Sequence, residues 1–235
     1  MIHEFIFAAP KPGMSAQEFQ DYWVNVHAVN YASKIRQIKR YLIDTRIPFD
    51  GDVGTPPLPH QGIAEIWLPV EEQLASLQSD EFLQGARLDE PKWAAFWQTI
   101  VVDTQQTHEI LAGPGMQTDP SWIKITYLLK RQSGMSLADY RLQSLGSYAS
   151  AVSKLPGLRR YIHNHAVDGL YTFSESSFDS VEQLWFDDIE SVQAALASPQ
   201  FREQVQVART TLLNPNYIFS MVSREHWIIG PDARP

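Results

Sequence analysis

Residues 12–19 read Pro12-Gly13-Met14-Ser15-Ala16-Gln17-Glu18-Phe19, and residues 134–140 read Gly134-Met135-Ser136-Leu137-Ala138-Asp139-Tyr140. The two stretches stand 121 positions apart and share Gly-Met-Ser, an acid three residues after the serine, and an aromatic ring next. The correspondence continues in order. Arg40-Tyr41 matches Arg160-Tyr161 at an offset of 120, and Glu65-Ile66-Trp67 matches Gln183-Leu184-Trp185 at 118. Ser79-x-x-Phe82 then matches Ser198-x-x-Phe201, and His108 matches His226. A fixed period with little drift marks an internal duplication. The expected repeats are residues 1–115 and 121–235, joined by the segment from Gly113 to Pro120, where Gly and Pro favour turns.

Both copies present the same elements. A short alternating apolar strand opens each, at Ile2–Ala8 and Ile123–Lys130. Ser15-x-x-Glu18 and Ser136-x-x-Asp139 then resemble capping boxes, in which the serine side chain satisfies an orphan N–H of the helix that follows. Second and third strands are expected at Ile38–Ile47 and Ile63–Leu68, and at Leu158–Val167 and Val181–Phe186. Helical segments and a last strand, Ile100–Leu111 or Tyr217–Ile229, complete each unit. Strand–helix–strand–strand–helix–strand is the ferredoxin-like order. Its sheet carries helices on one face only, and the other face must be buried. The expected fold is therefore α+β: two ferredoxin-like repeats whose antiparallel sheets pack against each other as an intramolecular α+β barrel. The loops at 49–62 and 168–177 are long for their place and candidates for cavity mouths.

Composition excludes several classes. With 44% hydrophobic and 20% charged residues the chain is globular rather than disordered. Its formal net charge of −8, with no basic run, argues against nucleic acid and anionic membrane partners. No apolar run approaches the length of a membrane span, and the N-terminal stretch, with Glu4 inside it and no basic n-region, is not expected to be a signal peptide. The absence of cysteine excludes disulfides and thiolate chemistry and fits a cytoplasmic protein. Phosphate loops, dinucleotide fingerprints and serine-nucleophile elbows are missing. Seven Trp, nine Tyr and eleven Phe call for an aromatic-rich interior or cavity.

The segment Pro12-Gly13-Met14-Ser15-x-x-Glu18-Phe19-x-x-Tyr22-Trp23-x-x-x-His27 resembles the signature helix of the EthD family. Arg40-Tyr41, Glu65-Ile66-Trp67 and Leu155-Pro156-Gly157-Leu158-Arg159-Arg160-Tyr161 are similar to it as well, so the resemblance spans nearly the whole chain as a tandem duplication. It implies a dimeric α+β barrel with a cavity, here a pseudo-dimer within one chain, with a homodimer of such pseudo-dimers left open. It implies a group containing cofactor-independent monooxygenases, isomerases, decarboxylases, dehydratases and heme-handling enzymes. Ser144 and Tyr148 stand in copy two where copy one has Trp23 and His27, so one functional cavity per chain is expected.

The candidate catalytic residues are His27, Tyr148, Tyr161, His163 and Glu65. His27 lies one helical turn from Trp23 and can move a proton near neutral pH. Tyr161, His163 and His165 alternate along a strand and so share a face, although His165 also reads as a solvated strand end. A metal held by the two histidines would need a third ligand such as Glu65 or Glu182, and no spacing demands it, so no metal is assigned. Trp23, Trp67, Trp185 and Asn30 are the candidate substrate contacts. Trp93, Phe96 and Trp97 read as a helical packing face, and His108 and His226 as structural. The expected function is a cofactor-independent oxygenase acting on a small apolar aromatic or cyclic molecule bound between the sheets. The alternatives are a lyase or isomerase of the same fold, a non-catalytic carrier, or a heme-binding barrel using His27, His163 or His165.

Overall fold

A computed structural model describes residues 1–113, 121–172 and 174–235. Most of the expected joint, 114–120, and Phe173 in the second long loop lie outside the described residues. Eight strands form a closed antiparallel barrel: β1 (Ile2–Ala8), β2 (Arg40–Arg46), β3 (Gly62–Leu68), β4 (Ile100–Leu111), β5 (Ile123–Arg131), β6 (Arg160–Ala166), β7 (Ser180–Phe186) and β8 (Leu213–Ile229). Around the barrel the order is β1-β3-β2-β8-β5-β7-β6-β4. Each half thus contributes four adjacent strands, β4-β1-β3-β2 and β8-β5-β7-β6.

The halves do not meet as two separate stacked sheets. They join edge to edge, because the last strand of each half is long enough to serve both. β8 pairs with β5 over its first part and with β2 from Ser223 onward. β4 pairs with β1 up to Thr104 and with β6 beyond it. Closure removes the exposed edges that an open sheet would leave.

The outer face of each half is covered by helices. α1 begins at Ala16–Tyr22, continues through a π-helical segment Trp23–His27 and ends at Ala28–Asn30. Ser15 caps it with a complete capping box to Glu18. Its counterpart α2 runs through Leu137–Gln143, the π segment Ser144–Tyr148 and Ala149–Val152. Ser136 accepts from the Asp139 N–H, but the reciprocal half of that box is not formed. The two π segments, Trp23–His27 and Ser144–Tyr148, stand 121 positions apart, the same offset as the two Gly-Met-Ser stretches. Trp93 is buried as expected, but Phe96 and Trp97 sit in a short 3-10 turn and Trp97 is 72% exposed. No helix among the described residues is long and apolar enough to cross a membrane.

Strand alternation sorts the side chains into three compartments. Outward residues of β1–β3, such as Ile43 and Ala64, pack under α1. Outward residues of β5–β8 form the larger core under α2, with Tyr140, Tyr148, Tyr161 and Leu184. Inside the barrel, Phe5, Phe7, Leu128, Val181 and Met221 fill one end. Leu58 and Phe178, from the two long loops, are buried in that same cluster, so these loops plug the apolar end of the barrel.

Candidate functional site

A pocket of about 480 Å³ opens between α1 and the outer face of the first half's sheet. Its walls are apolar and aromatic: Trp23, Tyr41, Ile66, Phe82, Trp93 and Phe96. Trp93 is its hub, with ring centroids 5.0 Å from Trp23, 4.7 Å from His27 and 5.7 Å from Phe96. His27 reaches this space from the π-helical segment, a helix irregularity that recurs at functional sites.

His27 Nδ1 lies 3.0 Å from Asp89 Oδ2. A carboxylate only accepts, so Nδ1 carries the proton and Nε2 keeps its lone pair. Burial lowers the His27 pKa below its ordinary value, and the Asp89 hydrogen bond and charge offset that only in part. The imidazole is therefore neutral at pH 7 and competent as a base. Asp89 is in turn fixed by Tyr22 Oη and Lys92 Nζ, each donating over 2.9 Å. Burial opposes the Asp89 carboxylate, but the hydrogen bonds from Lys92, His27 and Tyr22 outweigh it and hold its pKa low.

Glu4, on β1, lines the same pocket. It stands directly opposite Asp103 of β4, and Gln73 Nε2 donates to both carboxyl groups. Burial and the Asp103 charge raise the Glu4 pKa to about 8. Two facing carboxylates with little solvent cannot both ionise. The pocket thus holds a neutral base, His27, and a protonated acid, Glu4, a division of roles set by environment. The folded chain keeps the Glu4 proton up to about pH 8, whereas an unfolded chain releases it near 4.5. Stability should therefore fall as pH rises between those values. Glu4→Gln should flatten that slope, raising the melting temperature at pH 9 relative to wild type by about 2–4 °C for each kcal/mol recovered. A thermal melt series from about pH 4 to 9, which spans the shift from 4.5 to about 8, checks this.

The other expected site residues do not join this pocket. Glu65, Trp67 and Trp185 point into the barrel and line a different cavity at its polar end. Tyr148, on α2, and Tyr161 and His163, on β6 beneath it, lie in the second half, where all three are buried. Tyr148 Oη donates to Glu182 over 2.8 Å and receives Arg209 Nε at 3.3 Å. That ionic cluster takes the place of the first half's His27–Asp89 pair. The row Tyr161, His163, His165 does share a face, with ring centroids of successive pairs 6.5 and 5.0 Å apart. His165 is 1% exposed and bonded to Ser144, so it is no solvated strand end: α2 covers it. Glu65 faces the opposite side of the sheet from these histidines, so the three assemble no metal site. Asn30 is exposed at the end of α1 and lines neither cavity.

The sequence reading passed over Asp89, Glu4, His3 and Lys124. Asp89 had no motif around it, and only the return of the chain after α1 brings it to His27. Glu4 and Asp103 become a pair only through the β1–β4 register.

The model of the EthD domain family matches residues 11–96 and 132–209, one segment in each half and more than half of the chain. The chain belongs to the EthD family. No curated protein sequence matches the chain. Among solved structures, an anthrone oxidase-like protein superposes on this EthD chain with a TM-score of 0.64 at 12% identity, covering 100% of this chain and 95% of its own. A candidate monooxygenase from Lactobacillus acidophilus NCFM gives a TM-score of 0.54 at 10% identity, with 99% and 98% covered. Another candidate monooxygenase, from Fusobacterium nucleatum, gives 0.56 at 7%, with 99% and 95% covered. At such identities the likeness is one of fold alone: a single closed barrel to which the two halves, each with one EthD-matching segment, contribute four strands apiece.

Proposed function

We propose that this EthD-family protein is a cofactor-independent oxygenase whose substrate, a small apolar aromatic or cyclic molecule with an acidic C–H or O–H, binds in the His27 pocket. We read its two halves as two ferredoxin-like repeats, of which the first is the active one. The observation that carries the proposal is His27, held by Asp89 from behind, on the wall of an aromatic-lined pocket. His27 Nε2 takes a proton from the substrate, and Asp89 stabilises the imidazolium that forms. Trp93 Nε1 and Thr99 Oγ1, both buried lining atoms without a partner among the described residues, are placed to bond a substrate oxygen. The resulting enolate or phenolate is electron-rich enough to reduce dioxygen directly. For a ring methylene, one oxygen atom enters as a carbonyl and the two methylene hydrogens leave with the other as water.

The protonated Glu4 favours a second reading. A base and an acid in one pocket also suit an isomerase or a lyase, in which the acid returns a proton at another atom of the same substrate. Oxygen uptake separates the two. Purified protein incubated with anthrone-type and hydroxyaromatic substrates should consume one dioxygen per product formed. Product formation at an unchanged rate under nitrogen would replace the oxygenase with the isomerase or lyase.

A further inference from the structure

We propose that the polar end of the barrel is a second ligand site, separate from the His27 pocket, which takes a small planar aromatic carboxylate with a neighbouring hydroxyl. The cavity there measures about 420 Å³ and shares no lining residue with the His27 pocket, from which the sheet divides it. It lies where the two halves face each other. Equivalent positions of the repeat build its rim: Arg40 and Arg160, and Trp67 and Trp185. In register, His3, Trp67 and Arg40 form one row across β1, β3 and β2, and Lys124, Trp185 and Arg160 form the matching row across β5, β7 and β6.

The pseudo-symmetry is broken in a way that specifies a ligand. Arg160 is occupied: its Nε and Nη2 each lie 3.0 Å from Glu109 Oε1, and its guanidinium lies over Trp185. Arg40 is not. Its Nε is buried without a hydrogen-bond partner, and no carboxylate among the described residues pairs with it. The acids of the cavity floor are committed elsewhere, since Glu65 and Glu225 both hold Lys124. The cavity therefore presents one unanswered guanidinium, which suits a carboxylate.

Two more unpartnered nitrogens complete the pattern. Trp227 Nε1 is buried without an acceptor, and His3 Nδ1, with the Asn164 side chain near the ring, is buried and makes no hydrogen bond of ordinary geometry. His3 Nε2 lies 2.7 Å from Glu65, which as a carboxylate can only accept. Nδ1 is then a lone pair that asks for a donor, such as a hydroxyl. Two N–H donors and one acceptor, beside indole faces, describe an aromatic ring carrying a carboxylate and an adjacent OH. The indoles supply the flat wall: Trp67 stacks on Trp227 at 5.9 Å and on His3 at 4.0 Å.

The test is calorimetric titration with 2-hydroxybenzoate on wild type, Arg40→Met, Trp227→Phe and His27→Ala. The expected result is saturable one-to-one binding, weakened about tenfold or more by Arg40→Met and several-fold by Trp227→Phe, which keeps a ring but removes the N–H. His27→Ala should leave the affinity unchanged, and 2-hydroxybenzyl alcohol, without the charge, should bind as weakly to wild type as 2-hydroxybenzoate does to Arg40→Met. Absence of saturable binding to wild type up to roughly 10 mM overturns the proposal. So does binding that His27→Ala abolishes and folded Arg40→Met retains, which would place the ligand in the helix-side pocket. If Arg40→Met does not fold, Trp227→Phe and the alcohol decide.

Discussion

Lys124→Met should destabilise the protein by about 3–5 kcal/mol, lowering the melting temperature by roughly 6–20 °C. Lys124 is fully buried in the barrel, and its ammonium lies 2.8 Å from both Asp44 and Glu225 and bonds Glu65. The three carboxylates are arranged as they would be around a metal ion, and the ammonium holds the cation's place. Burial alone would push the Lys124 pKa down, but Asp44, Glu225 and Glu65 outweigh it and hold it above its ordinary range. Burial raises Glu65, yet the Lys124 charge and the His3 hydrogen bond outweigh it and keep that carboxyl ionised. Asp44 goes the other way: burial raises its pKa well above the ordinary value, and Lys124 corrects this only in part. Removing the ammonium leaves buried negative charge with no compensation, which costs more than the ion cluster contributes in net stability. Lys124→Met combined with Asp44→Asn and Glu65→Gln should therefore recover most of the loss. Urea or thermal denaturation of the single and triple variants measures this. A single variant within about 1 kcal/mol of wild type would show that water reaches the cluster and screens it.

The sequence disclosed the fold further than the site, for a physical reason. Duplication, alternation and capping are local patterns, and they marked strands such as Ile2–Ala8 and Ile100–Leu111 at the ends the structure gives them. The edge-to-edge closure was not visible: the last strand is expected over Tyr217–Ile229, whereas β8 begins at Leu213 and its 17 residues pair with β5 and then with β2. The site depends on which side of a sheet each residue faces, and that is where the reading erred. Grouping His27 with Glu65 placed both between the halves. The strand alternation that turns Trp67 and Glu65 inward turns Ala64 and Ile66 toward α1, so a helix residue meets the second set and never the first. The same rule moves Tyr161 and His163 under α2. The difference between the copies, Tyr148 at the position of His27, corresponds to a difference in what fills the space under the helix. In the second half Tyr148, Glu182 and Arg209 are all buried and bonded to one another, so that space is spent on an ionic cluster.

His27→Ala should lower kcat/KM by about 10²–10⁴-fold, the range for loss of a positioned general base. The loss should fall on kcat, because Trp23, Phe82 and Trp93 still bind the substrate ring. The pH profile separates a base from a packing residue. Burial depresses the His27 pKa, so the acid limb of kcat/KM for wild type should lie below 6.5, the ordinary histidine value. The neighbouring Asp89 charge acts against that depression. Asp89→Asn should therefore move the limb to still lower pH while reducing the rate, since the imidazolium formed in the transition state loses its counter-charge. A structural histidine would show no such coupled shift, because its protonation would alter stability and leave the profile of the folded enzyme in place. Tyr148→Phe is the matched control from the other half. It removes a buried hydrogen bond to Glu182 and should cost about 1 kcal/mol of stability. Turnover within about twofold of wild type in that variant, beside a collapsed rate in His27→Ala, would assign the chemistry to the first half alone. Full turnover in His27→Ala would make the dyad a packing device and remove the oxygenase reading with it.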